Sequence, residues 1–463
     1  MISGIMILLT IPKLIQDGMF LDAMLYTCVS HNLSNGIGTF WFPQYSPSLF
    51  SGYPFFLEHP PLVFGIQSVF FRLLGDSMYV ERLYVFITMC ITAFLISLLW
   101  RDIYKKEEGL KGISWLPVLF WISIPTWFWS YSNNMMENTM TIFDLCAVIL
   151  IYRASESDRS EVFRMALAGG FIFLATLSKG VPGLFPVALP VLHWLIIRKK
   201  SFGTAILHTI ILLFVISLIY FVLFNFPQSR ESLTFYFKER LIGRINDVPT
   251  TSDRLYTIKR LISELILPAV LAIIVFFIAK ITRSNIRKPN LPNPFLFIMI
   301  GLSASVPLTL TLVQRGFYLV PSFTYFAIGI SALIAPIILN FTEILINNRK
   351  YLKNFTITAI LILVLSIGYS FMQKGKTQRD RDMLNDVHAI GNTIPRGSAI
   401  TVNQEIASSH VLQCYFIRYY YISLYINKPK QFLMIKKSMA QDIPPDYRKL
   451  KIETRIYDVY RLK

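Results

Sequence analysis

Asp17, Asp22, Glu58, His59, Glu137, Lys179, Arg240, Arg244 and Arg315 each fall at the edge of a long apolar block or in a segment between two such blocks. Ionisable groups beside a membrane are expensive to keep, which makes them the first candidates for chemistry. The two signs have complementary uses. A carboxylate can serve as general base toward a hydroxyl, which does not attack unaided at neutral pH. Cationic side chains can stabilise the charge that builds on a departing phosphate. Each residue also has an ordinary reading. Asp22 suits a helix N-cap, because Asp is favoured there and a helix-like run follows at once. Glu137, flanked by Asn133, Asn134 and Asn138, suits a solvated loop carboxylate, and His59 between Glu58 and Pro60 suits a turn. Lys179 has the reach to snorkel to an interface. Asp144 lies within an apolar block, where hydrogen bonding to a neighbouring helix would account for it, and it receives no role.

The elements that must position these groups are membrane helices. Of the 463 residues, 54% are hydrophobic and only 16% charged. A soluble domain carries about 25% charge and cannot hide this much apolar surface. The apolar blocks are long enough to cross a hydrocarbon layer of about 30 Å, and in lipid only helices or closed barrels satisfy the backbone. By apolar length there are about eleven expected spans, near 1–15, 78–100, 113–130, 138–153, 164–178, 181–197, 203–225, 262–280, 295–312, 317–340 and 355–373. The first block lacks a basic leader and an A-x-A site, so it reads as a first helix rather than a cleaved signal. The net charge of +18 does not indicate nucleic acid, because Lys and Arg gather between apolar blocks. Cys28, Cys90, Cys146 and Cys414 show no paired spacing, which argues against a disulfide framework or zinc site.

Alternate connections carry the cations. Arg101, Lys105, Lys106 and Lys111 form one set, Arg153 and Arg159 the next, then Arg198, Lys199 and Lys200, then Arg283, Arg287 and Lys288, and last Arg349, Lys350 and Lys353. The opposite short connections hold only Lys179 and Arg315, so the basic loops are expected to face the cytoplasm. Segments 16–77, 226–261 and 374–463 then lie on the far side. The first is rich in Gly, Pro and aromatics and suits two helices in the plane of the interface, Asp22–Asn35 closed by Gly36 and Pro60–Leu74 followed by Gly75. The tail turns polar at Gln373, with strand-like runs at Ala399–Val402, Phe432–Ile435 and Ile456–Arg461 and a helix-like stretch between the first two. The expected architecture is an all-α polytopic membrane protein, 1–373, with a small C-terminal extracytoplasmic α/β domain, 374–463. The candidate groups then share one membrane face and suit a substrate with a greasy tail and a polar head.

The order of these residues resembles the GT-C superfamily of polyprenyl-phosphate-sugar-dependent glycosyltransferases. Within it, the likeness is to the bacterial branch of protein mannosyltransferases and the aminoarabinose transferase acting on lipid A. That family opens its first far-side loop with an acidic motif of the type D-E-x-x-Y, and Asp22-Ala23-Met24-Leu25-Tyr26 occupies that place. Glu58-His59-Pro60-Pro61 resembles its acidic-basic-proline step, while Gly75-Asp76-Ser77 and Glu81-Arg82-Leu83 resemble its lead-in to the next span. Glu137-Asn138 is similar to its second acidic site, Ser178-Lys179-Gly180 to its Lys-Gly step, and Arg315-Gly316-Phe317-Tyr318-Leu319-Val320-Pro321 to its basic-aromatic-proline segment. Two positions depart from the pattern. Ala23 replaces the second acidic residue, and His59, a weaker cation than Lys at neutral pH, stands where aminoarabinose-type relatives carry Lys.

The resemblance implies glycosyl transfer from a polyprenyl (undecaprenyl) phosphate donor to an extracytoplasmic acceptor, whether lipid, glycan or protein, in the inner membrane. It implies Asp22 as general base and Glu137 as a second carboxylate that orients the acceptor. Lys179, His59, Arg315 and Tyr318 would hold the donor phosphate, and Asp22 with Glu58 would form an optional divalent-cation site. The alternative is a polytopic lipid or sugar transporter. It would place ionisable groups near the bilayer midplane and show broken-helix repeats, neither of which the sequence displays.

Overall fold

The computed structural model describes residues 1–46, 55–157, 159–243, 250–282, 291–426, 428–439 and 443–463. Arg244, Arg283, Arg287 and Lys288 of the expected loop cations lie outside them. Among the described residues, seven helices are long and apolar enough to cross a membrane, making this a multi-pass membrane protein: Tyr79–Ile103, Glu161–Lys179, Phe202–Phe224, Tyr256–Ile281, Pro292–Leu310, Gly316–Asn347 and Arg349–Phe371. The pair Pro125–Tyr131 and Met136–Glu156, bent by 109° at its break, brings the number to eight when counted as one span. The other expected spans are shorter pieces. Ile2–Leu14 is a 13-residue helix, and 113–130 is cut at Pro125 into Leu116–Ile122 and Pro125–Tyr131. In 181–196 the prolines 182, 186 and 190 force a tight 3₁₀ stretch, Val181–Ala188, before an α-helical end. Proline lacks the amide that an uninterrupted helix needs.

The two helices expected in 16–77 form close to where the spacing predicted them, at Leu21–Ser34 and Leu62–Leu74. Gly36 and Gly75 follow with φ of 76° and 84°, in the left-handed region that glycine enters without strain. The break at 132–135 is keyed to both helices by amide side chains. Asn133 Oδ1 accepts from the Phe20 amide at 2.8 Å. Asn134 donates to Thr27 Oγ1 at 2.9 Å and pairs with the Gln67 amide through bonds of 2.7 and 2.9 Å. The asparagines beside Glu137 are therefore buried fasteners, not loop solvation.

The tail forms a five-stranded sheet of β1 (Ala399–Val402), β2 (Ser423–Ile426), β3 (Phe432–Lys436), β4 (Tyr447–Lys449) and β5 (Tyr457–Leu462), in the order β2-β1-β3-β5-β4. The three expected strands are β1, β3 and β5, and the helix-like stretch is His410–Tyr420. That helix packs on Leu21–Ser34, so one apolar core joins Met24, Cys28 and Val63 to Leu412, Phe416 and Val459. A buried ion pair fastens the two parts: Arg418 binds Glu81 at 2.9 Å and donates to the carbonyls of Asp76 and Ser77.

Two charge layers sit at opposite ends of the same helices. Glu137 and Glu156 are separated by about 29 Å along one helix, and Lys179 and Glu161 by about 27 Å along the next. At the Glu156 end, Arg153 pairs with Asp102 at 2.7 Å, Lys199 with Glu156 at 2.9 Å and Lys200 with Glu161 at 2.7 Å. The candidate site occupies the other end.

Candidate active site

Asp22 stands in the first turn of the helix Leu21–Ser34, and Tyr26 follows one turn later on the same face. The N-cap is Phe20, and no side chain caps this end, so the capping role considered for Asp22 does not apply. Lys179 ends the helix Glu161–Lys179, and Gly180 stops it with φ of 94°. A Cβ at position 180 would lie 1.7 Å from the Tyr236 hydroxyl, so glycine is required there both for conformation and for room. Arg315 caps the 3₁₀ turn Gly316–Leu319, which carries Tyr318 at the head of the next span.

These segments converge on one cavity of about 310 Å³ whose wall includes Asp22, Tyr26, Glu58, His59, Lys179, Arg240, Arg315 and Tyr318. Of the residues to which the resemblance gave a role, Asp22, Glu58, His59, Lys179, Arg315 and Tyr318 line it and Glu137 does not. Glu137 lies behind the wall, 1% exposed, with its carboxylate 3.1 Å from Lys179 Nζ. Lys179 in turn donates to the Tyr26 hydroxyl at 3.3 Å and sits 5.2 and 5.7 Å from the ring centres of Tyr26 and Tyr318. The Tyr26 hydroxyl also meets His59 Nε2 at 3.2 Å. The position assigned to an acceptor-orienting carboxylate is thus that of a buried counter-ion to Lys179.

Charge is distributed unevenly over the wall. Arg240 holds the Glu58 carboxylate, and Glu137 holds Lys179. Asp22 and Arg315 have no ion-pair partner among the described residues. Burial pushes the Asp22 carboxyl above the ordinary carboxylate range, and the repulsion of Glu137 and Glu58 adds to this while Lys179 and Arg315 oppose it. A half-buried carboxylate of raised basicity, unpaired and close to cations, is equipped to accept a proton. Asp17 is not so placed. Burial raises it, but hydrogen bonds from His388 at 2.7 Å and Tyr419 at 2.6 Å hold it below the ordinary value and tie it to the tail.

Asp22 and Glu58 do not fit the divalent-cation site considered for them. Glu58 is engaged by Arg240, cations flank Asp22, and among the described residues no three His, Cys, Asp or Glu side chains cluster as metal ligands. Arg240, one of the candidate ionisable groups in the sequence, reaches the wall as the partner of Glu58, and Tyr26 joins it as a contact of Lys179 and His59. Tyr26 carried a signal in its spacing of four residues from Asp22, which sets both on one helix face.

Residues 58–224 match the family described as dolichyl-phosphate-mannose-protein mannosyltransferase. The whole chain superposes on the ArnT structure from Cupriavidus metallidurans bound to undecaprenyl phosphate, with a TM-score of 0.68, 13% identity, and coverage of 99% of this chain and 96% of that one. The chain shares the fold of that ArnT. The apo state of the same ArnT gives a TM-score of 0.68 at 12% identity with the same coverage. An archaeal oligosaccharyltransferase, AglB from Archaeoglobus fulgidus, superposes with a TM-score of 0.46 at 13% identity, over 89% of this chain and 63% of that one. No curated protein matches the chain in sequence.

Proposed function

We propose that this GT-C protein moves a glycosyl group from a polyprenyl phosphate to an acceptor hydroxyl at the lipid–water boundary. The observation that carries the reading is the single cavity wall on which Asp22, a carboxylate with no ion-pair partner among the described residues, lies beside Lys179 and Arg315. Asp22 takes the proton of the acceptor hydroxyl as its oxygen bonds to the sugar's anomeric carbon. The bond from that carbon to the phosphate oxygen breaks, and the phosphate leaves on its lipid with Lys179, Arg315 and His59 around the developing charge. Tyr26 and Glu137 hold Lys179 in place, and Tyr318 walls the phosphate side. The family matched by 58–224 and the ArnT structure with its bound undecaprenyl phosphate both support a lipid-phosphate donor.

We assign 1–373 as the transferase domain and 374–463 as an appendage on its active face, in the inner membrane with that face away from the cytoplasm. The separation of the basic loop layer from the site by about 30 Å of helix supports this orientation. A cysteine at Lys430 should react with an impermeant thiol reagent in intact spheroplasts, and labelling only after lysis would overturn the orientation. The reaction itself is tested by incubating purified protein with a panel of polyprenyl-phosphate sugars and cell-envelope extract, measuring free polyprenyl phosphate. Release from at least one donor is expected. No release from any donor above the level of an Asp22→Asn control would refute the transferase reading.

A further inference from the structure

Six of the sixteen Lys and Arg side chains of the tail are held in ion pairs, two of them with carboxylates of the segment 76–81. Lys436 pairs with Glu405, Lys449 with Asp458, Arg455 with Asp382, Arg379 with Asp380, Arg396 with Asp76 and Arg418 with Glu81. Arg448 on β4 and Arg461 on β5 have no ion-pair partner among the described residues, and both are exposed. They stand directly opposite each other in the antiparallel register. Opposed residues bring their Cβ atoms to about 5 Å, and like charges there destabilise the pair. Lys463 extends the same edge, its backbone amide bound to the Asp446 carbonyl and its ammonium to that of Pro445. Lys430 adjoins it, because the Tyr447 hydroxyl donates to the Lys430 carbonyl at 2.6 Å and Leu462 N to that of Gln431. Asp446 is the one carboxylate in these contacts.

We propose that this basic sheet end is the docking surface for the acceptor, a polymer bearing repeated phosphates. The proposal rests on the transferase reading for the word acceptor, but the binding itself does not. Two guanidiniums fixed on neighbouring strands recognise phosphate oxygens with paired, directional hydrogen bonds. A bilayer surface needs only diffuse charge, which mobile lysines supply as well. Self-repulsion within the empty patch is relieved when phosphates are bound. The layer order agrees: helices His410–Tyr420 and Arg381–Gly391 carry the contacts to the membrane region through Arg418, Tyr419 and His388, leaving the β4–β5 edge open.

The test uses full-length protein in detergent with labelled long-chain inorganic polyphosphate, without donor. Arg448→Ser/Arg461→Ser should bind roughly tenfold or more weakly, and its log affinity should fall on log salt with a slope shallower by about two. Lys437→Ser, a control at the opposite end of β3, should change affinity far less. The double variant should unfold at no lower temperature than the parent, since it removes a repulsion. Equal polyphosphate binding by both variants, or equal retention of neutral dextran, would overturn the proposal. Binding to phosphatidylglycerol vesicles without binding to the polymer would also overturn it and make the patch a membrane contact. Donor turnover with a small soluble acceptor is measured alongside and should be unchanged in the double variant, so failure of the transferase reading is seen separately.

Discussion

The Glu137–Lys179 pair is the most exacting place to perturb the site. Both groups are nearly removed from solvent, at 1% and 7% exposure, and their charged atoms approach to 3.1 Å. Removing one partner of such a pair leaves an uncompensated buried charge, which costs about 3–5 kcal/mol, whereas replacing both with apolar groups of similar volume is often neutral or better. Glu137→Leu should therefore destabilise the protein by about 3–5 kcal/mol, and Lys179→Met by a similar amount. The double variant should recover most of that loss, so its destabilisation should be well below the sum of the two. Function should separate from stability, because no double variant returns the cation to the cavity. Donor affinity should stay low in the restored protein. The assay is denaturant unfolding in micelles for all four proteins, with binding of a polyprenyl-phosphate sugar followed by fluorescence. If Glu137→Leu costs under about 1 kcal/mol, the pair behaves as a hydrated surface pair. If the double variant binds donor like the parent, Lys179 does not hold the phosphate.

Asp22→Asn should lose about 10²–10⁴ in transfer rate with little change in stability, because an amide accepts no proton and no cap is lost; near-parental turnover would remove Asp22 from the mechanism. The acidic limb of the transfer rate should lie above the ordinary carboxylate range, because burial raises Asp22, and a limb at the value of a free Asp would contradict the geometry. The native state then holds a proton that the unfolded state has lost, so Asp22's contribution to stability falls as pH rises through that window and is absent in Asp22→Asn. Asp17 has the opposite sign: its folded value is depressed, so its contribution is present above the ordinary carboxylate value and is lost as pH falls through the depressed one. Asp17→Asn should loosen the tail by about 1–3 kcal/mol, read as faster proteolysis or hydrogen exchange within 374–463 while the transfer mechanism is kept.

What the sequence made legible follows the range of the interactions involved. The interfacial helices could be read from Pro and Gly punctuation, and the site residues from their order against a familiar pattern. Local physics dictates the first, and the second needed no distances. Glu137 could be placed but not understood: its neighbours Asn133 and Asn134 look like solvated loop residues until Thr27 and Gln67, far away in the chain, supply their hydrogen bonds. The same limit applies to Glu81, whose partner Arg418 lies in the tail, and to Arg240, whose partner Glu58 precedes it by 182 residues. Counting apolar blocks overstated the long helices because prolines inside 113–130 and 181–197 break blocks that composition alone cannot distinguish from spans. Strand β4 escaped notice because it is only three residues long, and β2 because it follows the helix His410–Tyr420 after two residues, neither of them Gly or Pro.

On the proposed reaction, the charge arrangement in the cavity favours Asp22, which has no ion-pair partner among the described residues, as the proton acceptor. Lys179, Arg240 and Arg315 face Asp22, Glu58 and Glu137, so the resting site is close to neutral. A sugar joined to a polyprenyl phosphate carries one negative charge on its phosphodiester. When the bond to the sugar breaks, that phosphate gains a second charge as a monoester. The compensation has to appear at the same moment and in the same place. If the proton went to bulk water, the growing dianion would face an unchanged neutral wall. Transfer to Asp22 cancels one carboxylate and leaves the wall with one net positive charge as the leaving group becomes more negative. Glu58 and Glu137 cannot do this, because protonating either would release a cation from its fixed position. Among the described carboxylates of the cavity, Asp22 can change charge without disturbing the cations proposed to hold the phosphate, and its raised basicity favours the proton there.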